Sequence, residues 1–261
     1  MMVANKYQVE IPDVDYYRKL ISCQSSCPVN TDARGYVDAI AEGNYRLGYV
    51  RARQPNPFAS TCGRVCNAPC EAACRRGHID SPVTIRALKR FVCERYGVEA
   101  ADHLPAASLE AAAIGSSLLS DLPPFNSRTA GTYGTLLKAS ASSGHRKGKV
   151  AVVGSGPAGI TAAHDLSLLG HAVTVFEAAP VPGGQLLLGI PEYRLPRDII
   201  RSEIEEFLKR GGNLKLNMHL GTDFTLDTLR EQGYEAIFLA IGAYLDREAG
   251  IEGADLEGVV Y

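Results

Sequence analysis

At 261 residues the chain is long enough for two domains with buried cores. A formal charge of −2 and a pI near 6.3 give no footing for nucleic acid or an anionic membrane as a partner. No run reaches the roughly 18 apolar residues of a membrane span, and the N-terminal MMVANKYQVEIPDVDYYRKL lacks the apolar core of a signal peptide, so a cytoplasmic protein is expected.

Residues 1–99 hold all the cysteines and read as short helices between loops. Thr31 and Asp32 open a helix in TDARGYVDAIAEGN, with Tyr36, Val37, Ile40 and Ala41 on one face and Gly43 as the stop. A second helix is predicted in SPVTIRALKRFVCERYG. There Ser81 suits the cap, Pro82 the first turn, and Ile85, Leu88 and Val92 form an apolar stripe.

Two stretches of this region concentrate thiols. In CQSSCP, Cys23 and Cys27 precede Pro28; CGRVCNAPCEAAC places Cys62, Cys66, Cys70 and Cys74 four residues apart. The first has the C-x3-C-P ending of an iron–sulfur run. Gly63 and Pro69 argue against one unbroken helix in the second. A reducing compartment disfavours disulfides, and zinc sites more often use paired C-x2-C spacings. Iron–sulfur ligation is the favoured reading, with zinc and unligated thiols as alternatives. Arg64, Arg75, Arg76, Arg86, Lys89 and Arg90 suit an anionic cluster but equally form a solvated basic face. Cys93 reads as a ligand or a small buried residue.

Residues 100–148, rich in Ala, Ser and Gly, read as a flexible linker. From residue 149 the pattern alternates: strands in KVAVVG, AVTVFE, LKLNM and YEAIFLAIGA, and helices in PAGITAAHDLSLLG and RDIIRSEIEEFLKRGG, with LDTLREQG between the last two strands. Such alternation predicts a parallel sheet covered on both faces. On the second helix, Ile200, Ile204, Phe207 and Leu208 share one side. The expected fold is therefore α+β with two domains: an α-helical iron–sulfur domain, then a Rossmann-like α/β nucleotide domain.

Gly154, Gly156 and Gly159 form G-x-G-x-x-G between a predicted strand and helix, the context that gives this motif its specificity. The glycines allow a tight turn, close approach of a pyrophosphate and close helix packing, while the helix N-terminus attracts phosphate. Glu177, 23 residues after Gly154, stands where an acid accepts ribose hydroxyls. PGGQLLLGIPEYRLP, with Gly184 and Arg194, and the small residues Ala240 and Gly242 favour FAD over NAD. Arg194 as a plain surface residue is the alternative. His78 and His164 are read as structural or surface residues.

SCQSSCPVNTD, GRVCNAPCEAAC, PVTIRALKRF, VAVVGSGPAGITAAHDL, FEAAPVPGGQL and GIPEYRLP, in that order, resemble the small subunit of glutamate synthase and the N-terminal half of dihydropyrimidine dehydrogenase. The resemblance implies [4Fe–4S] clusters in the helical domain and FAD on the second domain. NAD(P)H would reduce the flavin through a domain not present here, and the clusters would carry electrons to a partner subunit or domain. It carries flavin contacts onto Gly154, Ser155, Gly156, Pro157, Ala158, Gly159, Glu177, Gln185, Arg194 and Leu220. It also places Cys27, Cys66 and Cys70 on one cluster and Cys23 and Cys74 on half of another, with Cys62 and Cys93 available to complete a rearranged set.

Three departures stand out. DYYRKLIS lacks a further C-x2-C, Lys89 occupies a position where the family supplies Gln or Glu, and no second glycine motif follows before Tyr261. One cluster is expected, two being the alternative, and the sequence is expected to be an N-terminal fragment. The competing function is a non-catalytic nucleotide- and metal-binding adaptor subunit. A zinc domain joined to an NAD-binding one is a weaker third.

Overall fold

The computed structural model describes residues 20–54, 56–101, 103–104, 147–243, 250–253 and 256–258. Most of the expected linker, 100–148, lies outside the described residues. Helices come first: α1 (Ser22–Ser25), α2 (Ala33–Ala41), α3 (Tyr45–Arg53), α4 (Ala59–Val65), α5 (Pro69–Ala72), a 3-10 turn (Arg75–His78) and α6 (Ile85–Tyr96). Then follow β1 (Lys147–Val153), α7 (Pro157–Leu168), β2 (His171–Phe176), α8 (Gln185–Leu188), α9 (Arg197–Leu208), β3 (Asn213–Lys215), α10 (Leu226–Glu231) and β4 (Ala236–Leu239). A helical region is thus followed by a parallel sheet, as the sequence pattern requires. Among the described residues no helix is long and apolar enough to cross a membrane.

α2 begins where expected: the Asp32 side chain accepts the Gly35 N–H at 2.9 Å, and Gly43 beyond the helix end has φ +80°, a conformation glycine adopts without a Cβ clash. The second predicted helix starts later than its sequence suggests. α6 opens at Ile85, and Ser81 is not its cap. The Glu71 carboxylate accepts the Arg86 N–H at 2.7 Å instead, satisfying an orphan donor of the first turn from outside the helix. Its buried face carries Ile85, Lys89, Val92 and Cys93, with Lys89 rather than Leu88 completing the stripe.

The strand order β3-β2-β1-β4 is parallel throughout. The chain runs outward from β1 to β3 and then returns to the other side of β1, which makes the end of β1 a topological switch point. Alternation along β1 splits its side chains between two clusters: Val152 packs with Ile160, Val175, Ile200, Ile204 and Phe207, while Ala151 and Val153 pack with Phe224, Leu229 and Tyr234. The LDTLREQG segment forms α10 and covers that second face. PGGQLLLG, expected to be a loop, includes the single turn α8.

Tyr36, Tyr49, Val50, Ile85, Val92 and Cys93 make the core of the helical region. Phe58 leaves that region and is buried with Ile200, Ile204 and Phe207, so helical and sheet regions share apolar packing.

Candidate functional site

The glycine turn joins β1 to α7 at the switch point. Gly154 has φ +106°, and a Cβ there would lie 2.2 Å from the Ala240 carbonyl oxygen. A Cβ on Gly159 would lie 1.9 Å from the Gly154 oxygen. Both glycines are therefore demanded by packing. Gly156 differs, because nothing lies within 4 Å of its missing Cβ, and Pro157 and Ala158 beside it are exposed. The turn thus presents open backbone at a helix N-terminus, the chemistry that receives a phosphate.

Glu177 is anchored on this turn. Its Oε2 accepts the Ser155 N–H at 2.8 Å and the Ser155 hydroxyl at 2.5 Å, while Oε1 accepts the Ala179 N–H at 2.8 Å. A carboxylate offers about four acceptor positions, so Oε1 retains one for a ligand hydroxyl. Gly184 also closes on the turn, since its Cβ would meet the Gly156 Cα at 2.9 Å. Gln185, Arg194, Leu220 and Gly242 are all exposed, and among the described residues no side-chain hydrogen bond ties them to the turn.

Seven free cysteines occupy the helical region. Burial pushes the Cys70 thiol up to about 11, reinforced by Cys27, Glu71 and Cys66. Burial likewise raises Cys23, with Cys74 among the charges acting on it. Cys62 is raised by burial, while Lys89 and Asn56 act in the opposite direction and Cys66 adds to the rise. Ala68 adopts φ +55° and directs its N–H at the Cys66 sulfur, 3.4 Å away. Cys93, fully buried in the helical core, is pushed up to about 12 by burial. It packs as a small apolar residue. Among the described residues, no group of three or more His, Cys, Asp or Glu side chains is placed to hold a metal ion.

Residues 18–100 match the family described as dihydropyrimidine dehydrogenase domain II, 4Fe-4S cluster. Residues 152–187 match the NAD(P)-binding Rossmann-like domain. The beta subunit of an NADP(+)-dependent formate dehydrogenase from Moorella thermoacetica is 41% identical over 233 residues, covering 89% of this chain and 31% of that protein. The beta subunit of an NADPH-Fe(3+) oxidoreductase from Geobacter sulfurreducens is 32% identical, covering 89% and 30%. The small chain of NADPH glutamate synthase from Bacillus subtilis is also 32% identical, covering 91% and 41%. The chain belongs to the iron–sulfur NAD(P)H oxidoreductase family related to dihydropyrimidine dehydrogenase and the glutamate synthase small subunit. It spans less than half the length of each of these relatives.

For a member of this oxidoreductase family, the donor set is chemically apt: soft thiolates select iron–sulfur clusters, and N–H groups already face two of the sulfurs. Three residues shape the site, of which sequence reading singled out only Lys89. Asn56 is buried and donates from Nδ2 to the Cys62 sulfur at 3.0 Å. Lys89 is only 7% exposed. Glu203, 4% exposed on α9, accepts the Ser60 N–H at 2.8 Å, the Thr61 N–H at 3.2 Å and the Thr61 hydroxyl at 2.6 Å. That carboxylate caps α4, the helix of Cys62, from the nucleotide half of this family member. Burial raises Glu203 to about 7 against these hydrogen bonds and the charge of Arg53. Its partners lie 142 and 143 positions away in sequence, a separation to which no local pattern points.

Proposed function

We propose that this chain is the electron-relay part of an FAD-dependent NAD(P)H oxidoreductase. In this reading residues 1–99 form the cluster domain and 149–261 the first half of the FAD domain. FAD lies on Gly154, Ser155, Gly156, Pro157, Ala158 and Gly159, with Glu177 accepting a ribose hydroxyl. Gly184, Gln185, Arg194, Leu220 and Gly242 flank the remainder of the cofactor. Cys27, Cys66 and Cys70 hold one [4Fe–4S] cluster, with Cys62 available to complete it; Cys23 and Cys74 supply part of a second site.

The observation that carries this reading is the Glu203 contact. α9 packs against α7, the helix that begins at the glycine turn, and also against α4. The thiol region is thereby fixed against the nucleotide region by three hydrogen bonds rather than by chain connectivity alone. Two independent binding modules of an adaptor need no such connection.

When bound, the flavin supplies the conversion between two-electron hydride transfer and one-electron transfer to a cluster. The chain's own residues bind and orient. The α7 N-terminus and the open Gly156 backbone receive the pyrophosphate, Glu177 fixes the ribose, and the shared packing around Phe58 keeps the two regions in register. NAD(P)H is the electron donor, bound outside these residues, and the electrons leave to a partner subunit or domain. Anaerobic purification followed by a visible spectrum tests the reading. Flavin bands over broad iron–sulfur absorption are expected, and a colourless protein containing zinc contradicts it.

A further inference from the structure

Ser155 sits in the glycine turn yet is fully buried, at 0% exposure. Both of its donors go to one acceptor: Oε2 of Glu177 takes the Ser155 N–H at 2.8 Å and the hydroxyl at 2.5 Å. The hydroxyl oxygen in turn accepts the buried Gly183 N–H at 3.1 Å. A hydroxyl has one proton and two lone pairs, so the Gly183 bond leaves the proton on the side of Glu177. An O–H···O⁻ contact this short belongs to the charge-assisted class. The backbone of the acid is held separately: the Glu177 N–H bonds the Lys215 oxygen, and the Glu177 carbonyl accepts the Met218 N–H, both at 2.8 Å. Gly183 precedes Gly184, whose missing Cβ would meet the Gly156 Cα at 2.9 Å, so the second glycine loop lies against the turn.

We infer that Ser155 is a positioning residue: its hydroxyl ties the end of β2 to the second glycine loop and aims the free acceptor position of Glu177 at a nucleotide ribose. The inference rests on the reading of Glu177 as the ribose acceptor. Oε2 is filled by the two Ser155 donors, and Oε1 accepts the Ala179 N–H at 2.8 Å, which leaves one acceptor position out of about four. With the carboxylate pinned at both oxygens, that position has a fixed direction before any ligand arrives, and little ordering remains to be done on binding. Ser155 itself offers the ligand no donor, since its N–H and O–H are both engaged. Its effect on a nucleotide therefore passes through Glu177 and concerns the ribose hydroxyls, whereas the phosphates face the open Gly156 backbone and the α7 N-terminus.

The test is a calorimetric titration of the 261-residue chain, freed of bound nucleotide, with ADP and with 2′,3′-dideoxy-ADP. The two probes share their phosphates and differ only in the ribose hydroxyls. The wild type is expected to bind ADP about tenfold more tightly, the effect of one hydrogen bond to a charged acceptor. In Ser155→Ala that preference should shrink to about twofold, through weaker ADP binding at unchanged dideoxy-ADP binding. Both constants of a ratio come from the same folded population, so a fraction of unfolded chain does not alter it. If Ser155→Ala does not fold, Ser155→Cys, with a similar size and only a weak donor, is read in the same way. A preference equal to that of the wild type overturns the inference alone. A wild type that binds both probes equally overturns the ribose reading of Glu177 and the inference with it, and a wild type that binds neither overturns the nucleotide site itself.

Discussion

The Glu203 carboxylate lies 2.6 Å from the Thr61 hydroxyl, and the same carboxylate accepts the N–H groups of Ser60 and Thr61. α4 has no side-chain cap of its own, because Phe58 occupies the N-cap position. The acid of α9 supplies it. Truncation by Glu203→Ala strands three buried donors and is expected to cost about 2–4 kcal/mol. Urea unfolding measures this, and the loss in Glu203→Ala/Thr61→Ala should be smaller than the sum of the two single losses.

The same residue gives stability a pH dependence. Its pKa is raised from 4.5 to about 7, chiefly by burial. Below about pH 4.5 folded and unfolded chains both hold the proton and the contribution is complete. Between about 4.5 and 7 only the folded chain holds it, so stability falls as pH rises, by roughly 3 kcal/mol in all. Above 7 the contribution is flat. Urea midpoints of the wild type should decline from pH 5 to pH 7.5, and Glu203→Gln should flatten that slope.

The glycines of the turn separate packing from ligand approach. Gly159→Ala forces a methyl onto the Gly154 carbonyl and is expected to cost about 1–3 kcal/mol of stability. Gly156→Val meets open space in the protein, so its melting temperature without cofactor should stay near the wild type while flavin content falls. Thermal unfolding and flavin quantification check the pair.

The thiols divide in the same way. Cys66→Ala or Cys70→Ala should lose iron. Cys93→Ala, deep in the helical core, should keep its iron and cost about 1 kcal/mol through the lost sulfur packing. Iron assays beside urea unfolding measure both effects.

The glycine turn was legible in the sequence because its determinants sit within a few residues: the apolar strand, three glycines, a helix and Glu177 at a fixed spacing. The break between α4 and α5 was equally local, following from Pro69, although Gly63 turned out to serve the close approach of α4 to Arg90 rather than to end a helix. The caps were not legible. Ser81 has the right chemistry for a cap, but the first turn of α6 is served by Glu71, and that of α4 by Glu203. Both acids act across tertiary contacts that no spacing rule encodes. Glu203 and Glu206 are also buried on α9, where the apolar side read from the sequence holds Ile200, Ile204, Phe207 and Leu208. Lys89 was singled out, but its burial was not, since a lysine in a helix normally reads as solvated.

Iron and acid-labile sulfide, measured with the electron paramagnetic resonance spectrum of the reduced, anaerobically prepared chain, address the electron-relay account most directly. About four irons and four sulfides per chain, with a cluster signal and bound flavin in the same sample, are the predicted result. Flavin without iron or sulfide, and without any cluster signal, would contradict it.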